Sequence, residues 1–162
     1  MARLVIADAS PLIGLSIVNG LEWLPALFGE VWIPEQVCRE VLSGKHSRGE
    51  ADIQAALDAG WLKIWGQPFP ALTDIDLDEG ESACISIALH HPAPALLIMD
   101  ERAGRAVAIE HGLPVTGTAA IIGRAKTSGL IPSARRVFDV LHRSDFRISP
   151  EVIRTILLRV GE

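Results

Sequence analysis

Apolar and polar positions along this chain follow two rhythms. Leu4–Ala7, Val31–Ile33 and Ala95–Met99 are short apolar runs, as expected of strands covered on both faces. Trp61–Trp65 alternates apolar with polar and reads as a strand, and Pro114–Thr116 reads as a last short one. Elsewhere apolar positions recur three and four residues apart, the helical spacing. Ser10 and Pro11 predict an N-cap and first helical residue for a helix to about Val18, stopped by Asn19-Gly20. Further helices are predicted over Leu21–Phe28, from Pro34 to Leu42, and over Glu50–Ala59, Glu79–His90 and Glu101–His111. Three more follow at about 118–128, 133–143 and 150–160, while Lys45–Gly49 and residues 66–78 read as loops. Gly112 is a C-cap candidate. Strands alternating with helices predict an α/β fold with a mostly parallel sheet. There is no internal repeat or long linker, so residues 1–162 are expected to form one domain.

Composition narrows the classes. A chain of 162 residues, 49% of them apolar, is long enough for a core and too apolar for disorder. No run approaches the roughly 20 apolar residues of a membrane span. A charge arrives at Asp8, directly after the first apolar run, which argues against a signal peptide. Cys38 and Cys84 both fall in helical patterns and read as small buried hydrophobes. With no secretory signal, no disulfide is expected, and the cytoplasm is the expected location. Charge is uneven: residues 1–100 carry 5 Lys and Arg against 14 Asp and Glu, a balance of −9, and residues 101–162 carry 10 against 6, a balance of +4. That split suits an acidic site beside an anion-binding face, although scattered solvated charge explains it equally simply.

Four acids stand out. Asp8 and Asp100 follow the first and fourth strands, where open parallel sheets bind ligands. Capping explains Asp8 poorly, since Ser10 is expected to hold the cap, whereas Asp100 directly before a helix is a normal N-cap. Glu81 lies in line with Cys84, Ile85 and Ala88 on one helix face, and a carboxylate entering a buried stripe needs a partner. Glu40 sits in the last turn of its helix, where the dipole favours cations. Four carboxylates brought together repel unless a cation sits among them.

The order of these acids, with the short motifs around them, resembles the PIN-domain superfamily of metal-dependent nucleases, which includes VapC-type toxins. The details are closest to uncharacterised prokaryotic PIN-like proteins. The resemblance is carried by Asp8-Ala9-Ser10-Pro11-Leu12-Ile13, Ile33-Pro34 with Val37 and Glu40-Val41, and Gly80-Glu81. It continues in Asp100-Glu101-Arg102 with Arg105, Leu113-Pro114-Val115-Thr116-Gly117-Thr118, Ala125-Lys126 and Gly129-Leu130-Ile131-Pro132. It implies a five-stranded parallel sheet flanked by helices, with Asp8, Glu40, Glu81 and Asp100 gathered as a catalytic and metal-binding set. There is one departure. Many PIN nucleases carry Asp at the third position and more Asp after the fourth; here the third acid is Glu81, and residues 112–118 contain none. Thr116 or Thr118 would supply a hydroxyl or hold a water instead.

The implied activity is a Mg²⁺- or Mn²⁺-dependent endoribonuclease, since oxygen-only ligands suit those ions. Asp8 and Asp100 are the expected direct ligands, Glu40 and Glu81 complete the shell, and Ser10 orients Asp8. Arg102, Arg105 and Lys126, in the basic last third, are the expected nucleic-acid contacts. RNA is the expected substrate, and a cognate antitoxin and a second copy of the chain are the expected partners, with no membrane. Trp23, Trp61 and Trp65 would serve such an interface where exposed, but burial is expected for at least two of them. The alternative is a catalytically weak or inactive PIN-like module that binds nucleic acid or protein. His46, His90, His91, His111 and His142 show no zinc spacing. A haloacid-dehalogenase-like phosphatase would need Asp where Ser10 stands, and a dinucleotide-binding domain would need glycines after the first strand.

Overall fold

A computed structural model describes residues 3–45, 47–73 and 76–162. The chain runs β1 (Leu4–Ala7), α1 (Ala9–Ile17), α2 (Trp23–Phe28), β2 (Val31–Pro34), α3 (Glu35–Val41), α4 (Ser47–Ala59), β3 (Leu62–Trp65) and α5 (Glu79–His90). It continues through β4 (Ala95–Ile98), α6 (Arg102–Glu110), β5 (Val115–Thr116), α7 (Thr118–Thr127), α8 (Ala134–His142) and α9 (Pro150–Arg159). The strands form one five-stranded parallel sheet in the order β3-β2-β1-β4-β5, as the alternation predicts.

The continuous apolar runs become the centre of the sheet. Every residue of β1 and β4 is buried, and they pair in register from Leu4 with Ala95 to Ala7 with Ile98. The Asp8 amide extends this ladder, donating to the Ile98 carbonyl at 2.9 Å. The strand order reverses at β1: β2 and β3 lie on one side, β4 and β5 on the other. That switch point opens a crevice beyond the carboxyl ends of β1 and β4.

Several boundaries differ from the sequence pattern for physical reasons. α1 starts at Ala9 with Asp8 in the cap position, so Ser10 and Pro11 fall inside the first turn. α4 starts at Ser47 and takes the end of the predicted 45–49 loop, while His46 lies outside the described residues. The predicted 66–78 loop includes Asp74 and Ile75, which also lie outside them. α6 begins at Arg102, with Glu101 rather than Asp100 in the cap position. Gly112 ends α6 at φ +74°, the left-handed conformation expected of a helix-terminating glycine.

Trp23 is buried, and Trp61 and Trp65 are half-buried, so none of the three forms an exposed patch. Trp65 stacks edge-on against Trp32, ring centroids 5.5 Å apart. Cys84 is buried, Cys38 is half-buried, and both are free thiols. Among the described residues no helix is long and apolar enough to cross a membrane.

Ile98 is fully buried at the end of β4, beside the backbone that carries Asp8. Ile98→Ala is expected to cost about 2–5 kcal/mol of folding stability, measured by urea denaturation. Leu158→Ala, at a side chain 74% exposed, should change stability by about 0.5 kcal/mol or less. Equal losses would contradict the placement of the core.

Candidate functional site

Asp8, Glu40 and Glu81 meet in one cleft of about 290 Å³ at the carboxyl edge of the sheet. Asp76, Asp78 and Glu101 share its wall, and no Lys, Arg or His is among the described residues that line it. β1 delivers Asp8, the first turn of α5 delivers Glu81, and the last turn of α3 delivers Glu40.

Asp8 is only 3% exposed. It holds the cap position of α1, yet its side chain makes no capping bond, and its buried Oδ1 has no hydrogen-bond partner. Capping therefore does not account for this acid. α5 approaches closely because residue 80 is glycine: a Cβ there would lie 3.1 Å from Asp8 Oδ1 and 3.2 Å from Val37 Cγ2. Cys84 lies beneath, its Sγ donating to the Ala7 carbonyl at 3.5 Å, and burial pushes its thiol well up, so it stays protonated.

Glu81 is 4% exposed. Its backbone amide donates to Asp78 Oδ1 at 2.8 Å, which makes Asp78 the N-cap of α5. Gly104 of α6 faces its carboxylate: a Cβ there would lie 3.3 Å from Glu81 Oε2 and 2.6 Å from Met99 Sδ. Two glycines thus let the two buried acids sit against neighbouring helices.

The charge balance is unfavourable without a cation. Burial pushes Asp8 up to about 7; the Ala9 amide pulls the other way, and Asp78, Glu81 and Glu40 add repulsion. Burial likewise pushes Glu81 up to about 6, with Asp78 repelling and also hydrogen-bonding, and Glu101 and Glu40 adding to the repulsion. An unpartnered buried carboxylate oxygen, an all-oxygen donor set and no basic side chain among the described residues of the wall fit a hard divalent cation. Among the described residues no three of His, Cys, Asp and Glu stand ready to hold a metal ion together. Mg²⁺ asks for less, since it usually takes one or two carboxylates directly and keeps several waters. Asp8 and Glu81 are the buried, fixed pair, and Glu40 and Glu101 stand exposed at the rim.

Asp100 does not line this cleft. It faces an adjoining groove of about 690 Å³, together with Arg105, Arg147 and Arg159. The predicted local cap is not made. Instead Asp100 Oδ1 accepts from the Thr118 amide at 2.8 Å, and Oδ2 accepts from Thr118 Oγ1 at 2.7 Å, tying β4 to the start of α7. Burial pushes the Asp100 carboxyl up, while the Thr118 bonds and the Arg105 charge pull it back. Arg105 Nη1 donates to the Met99 carbonyl at 2.8 Å. Gly117 makes room for both: a Cβ there would lie 2.7 Å from Asp100 Oδ1 and 3.0 Å from Arg105 Nη1.

The remaining predicted residues divide in the same way. Ser10 and Glu101 line both the cleft and the groove, so they form the rim between them. Thr118 reaches Asp100, whereas Thr116 offers its backbone carbonyl to the Met99 amide and lines neither space. Arg102 is exposed and lines neither, and Lys126 Nζ donates to the Pro132 carbonyl at 2.7 Å, away from both. Sequence reasoning missed Asp78, Glu101, Arg147 and Arg159. Asp78 had a readable signal, since Asp three residues before Glu81 has the spacing of a capping box. Arg147 and Arg159 have none, because only tertiary packing brings α9 and the loop before it to this edge.

A family model described as a PIN domain matches residues 4–162. No curated protein matches the chain. Among solved structures the chain is similar to a PilT N-terminus domain protein from the hyperthermophilic archaeon Sulfolobus solfataricus. The two are 19% identical with a TM-score of 0.50, over 73% of this chain and 90% of that one, and at that identity the likeness bears on the fold.

The raised acids give stability a pH signature. Asp8 at about 7 and Glu81 at about 6 lie above their ordinary 3.8 and 4.5, so the folded state holds protons that the unfolded state has released. Their contribution is therefore complete below about pH 4 and is lost as pH rises through 7. Asp8→Asn should melt higher than wild type at pH 8 in EDTA, with the gap closing towards pH 4. A gap that is the same at both pH values would contradict the buried, unpaired state of Asp8.

Proposed function

This chain belongs to the PIN-domain family, and we propose that its acid-lined cleft hydrolyses RNA phosphodiester bonds with a bound Mg²⁺ or Mn²⁺. The observation that carries this reading is the unpartnered Oδ1 of Asp8, buried in a wall of acids with no basic side chain among its described residues. Buried carboxylates are stable only when partnered.

A divalent cation in the cleft would offset charge on the phosphodiester and lower the pKa of a water poised for in-line attack. Asp8 and Glu81 are the residues that would hold it, pressed into place by Gly80 and Gly104. Glu40, on the rim, would hold water or complete the shell. Ser10 stands where the cleft opens to the groove and would orient the scissile phosphate between them. The groove supplies what the cleft lacks, since Arg105, Arg147 and Arg159 can take the phosphates on either side. Arg147 is already braced, its Nη1 donating to the His142 and Phe146 carbonyls at 3.1 Å each. No aromatic stripe accompanies these arginines in the sequence, so binding through the backbone rather than through base edges is the form expected.

Finer readings follow the family likeness: a cytoplasmic toxin ribonuclease, a cognate antitoxin and a homodimer. The rival reading is a module that binds nucleic acid or protein without cutting. It is favoured by the absence of acids from residues 112–118 and by the open spacing of the carboxylates among the described residues.

A labelled single-stranded RNA incubated with Mn²⁺ separates the two. Wild type should cut it, and Asp8→Asn should be slower by about 100-fold, or about 2.7 kcal/mol of barrier. Arg147→Ala and Arg159→Ala should each weaken RNA binding and reduce its log–log salt slope by about 0.7, the value for one phosphate contact on a single strand. RNA binding with neither cleavage nor Mn²⁺ uptake would leave the binding module standing.

A further inference from the structure

We propose that Glu101, not Asp100, completes the carboxylate set around the cation, and that Asp100 serves to anchor α7. This rests on the reading that the cleft holds a divalent cation. Two adjacent acids follow β4, and the backbone at Glu101 is extended, φ −63° and ψ 131°. Only one of the pair reaches the acid cleft: Asp100 lines the arginine groove alone, and Glu101 lines both spaces.

The contacts sort them. Asp100 has both oxygens engaged by Thr118 and lies beside Arg105, and it is absent from the wall of the cleft. Glu101 lines that wall with Asp8, Glu40 and Glu81. It occupies the cap position of α6, but its side chain makes no capping bond. The helix dipole alone would favour an acid at either position, so it does not explain why Glu101 is the one on the cleft. Asp8 supplies the independent pointer to a ligand, since its Oδ1 is buried, unpartnered and on the same wall. Glu101 is exposed, and its longer side chain can swing to an ion held by the fixed pair of Asp8 and Glu81.

The test is Mn²⁺ binding followed by electron paramagnetic resonance of the free ion, with thermal melts run alongside to verify folding. Glu101→Gln should keep the wild-type melt and weaken Mn²⁺ by on the order of tenfold or more. Asp100→Asn should melt lower, yet hold Mn²⁺ within about threefold of wild type once folded. Glu101→Gln binding like wild type, or Asp100→Asn losing as much affinity as Glu101→Gln, overturns the assignment while leaving the cation site intact. Wild type failing to bind Mn²⁺ overturns the proposed function, and this assignment falls with it.

Discussion

The structure around the switch point depends on one constraint: a carboxylate buried at the end of the central strand must be compensated. Asp8 cannot move away, because its amide belongs to the β1–β4 ladder. Its neighbours do not pair it either. Gly80 brings α5 close without adding a side chain, and α5 delivers a second acid, Glu81, which Gly104 accommodates from the far side. The fold thus places two acids in one buried corner, with no lysine, arginine or histidine among the described residues of its wall. Packing alone disfavours that arrangement, and the proposed cation would compensate it.

Charge is divided across the same edge. The cleft carries acids with no basic group among its described residues, whereas the groove beside it sets Arg105, Arg147 and Arg159 among Asp100, Asp145 and Glu151, with Ser10 and Glu101 between the two spaces. Those arginines would give a phosphate chain its attractive contacts beside an acidic centre. Asp100 belongs to the attractive side: it sits against Arg105 and ties β4 to α7 through Thr118.

Most of the fold was legible because its strands are short apolar runs, covered on both faces and set between helical patterns. The parallel sheet and the strand ends at Asp8 and Asp100 follow from that rhythm, whereas the strand order, and with it the switch point, comes only from the fold. Helix starts were less legible. Ser10-Pro11 carries the composition of a cap, but the chain turns two residues earlier, at Asp8. The site was legible as far as local chemistry reaches. Asp8 looked poorly explained by capping and Glu81 pointed into a buried helix stripe, and both are buried in the cleft. The partition of Asp100 from Glu101 could not be read, because it depends on Thr118, eighteen residues away, which engages both oxygens of Asp100. Arg147 and Arg159 were hidden for the same reason, as they arrive only when α9 folds back on α7.

Proton release on cation binding tests the central claim most directly. Asp8 at about 7 and Glu81 at about 6 hold protons near pH 6.5 that a cation must displace. Titrating Mn²⁺ by calorimetry in two buffers of different ionisation heat measures that release. A fraction of a proton or more should be released per ion at pH 6.5, falling to near zero at pH 8.5 and shrinking in Asp8→Asn to the smaller share that Glu81 holds. Binding with no proton release at pH 6.5, or no binding at all, would contradict it.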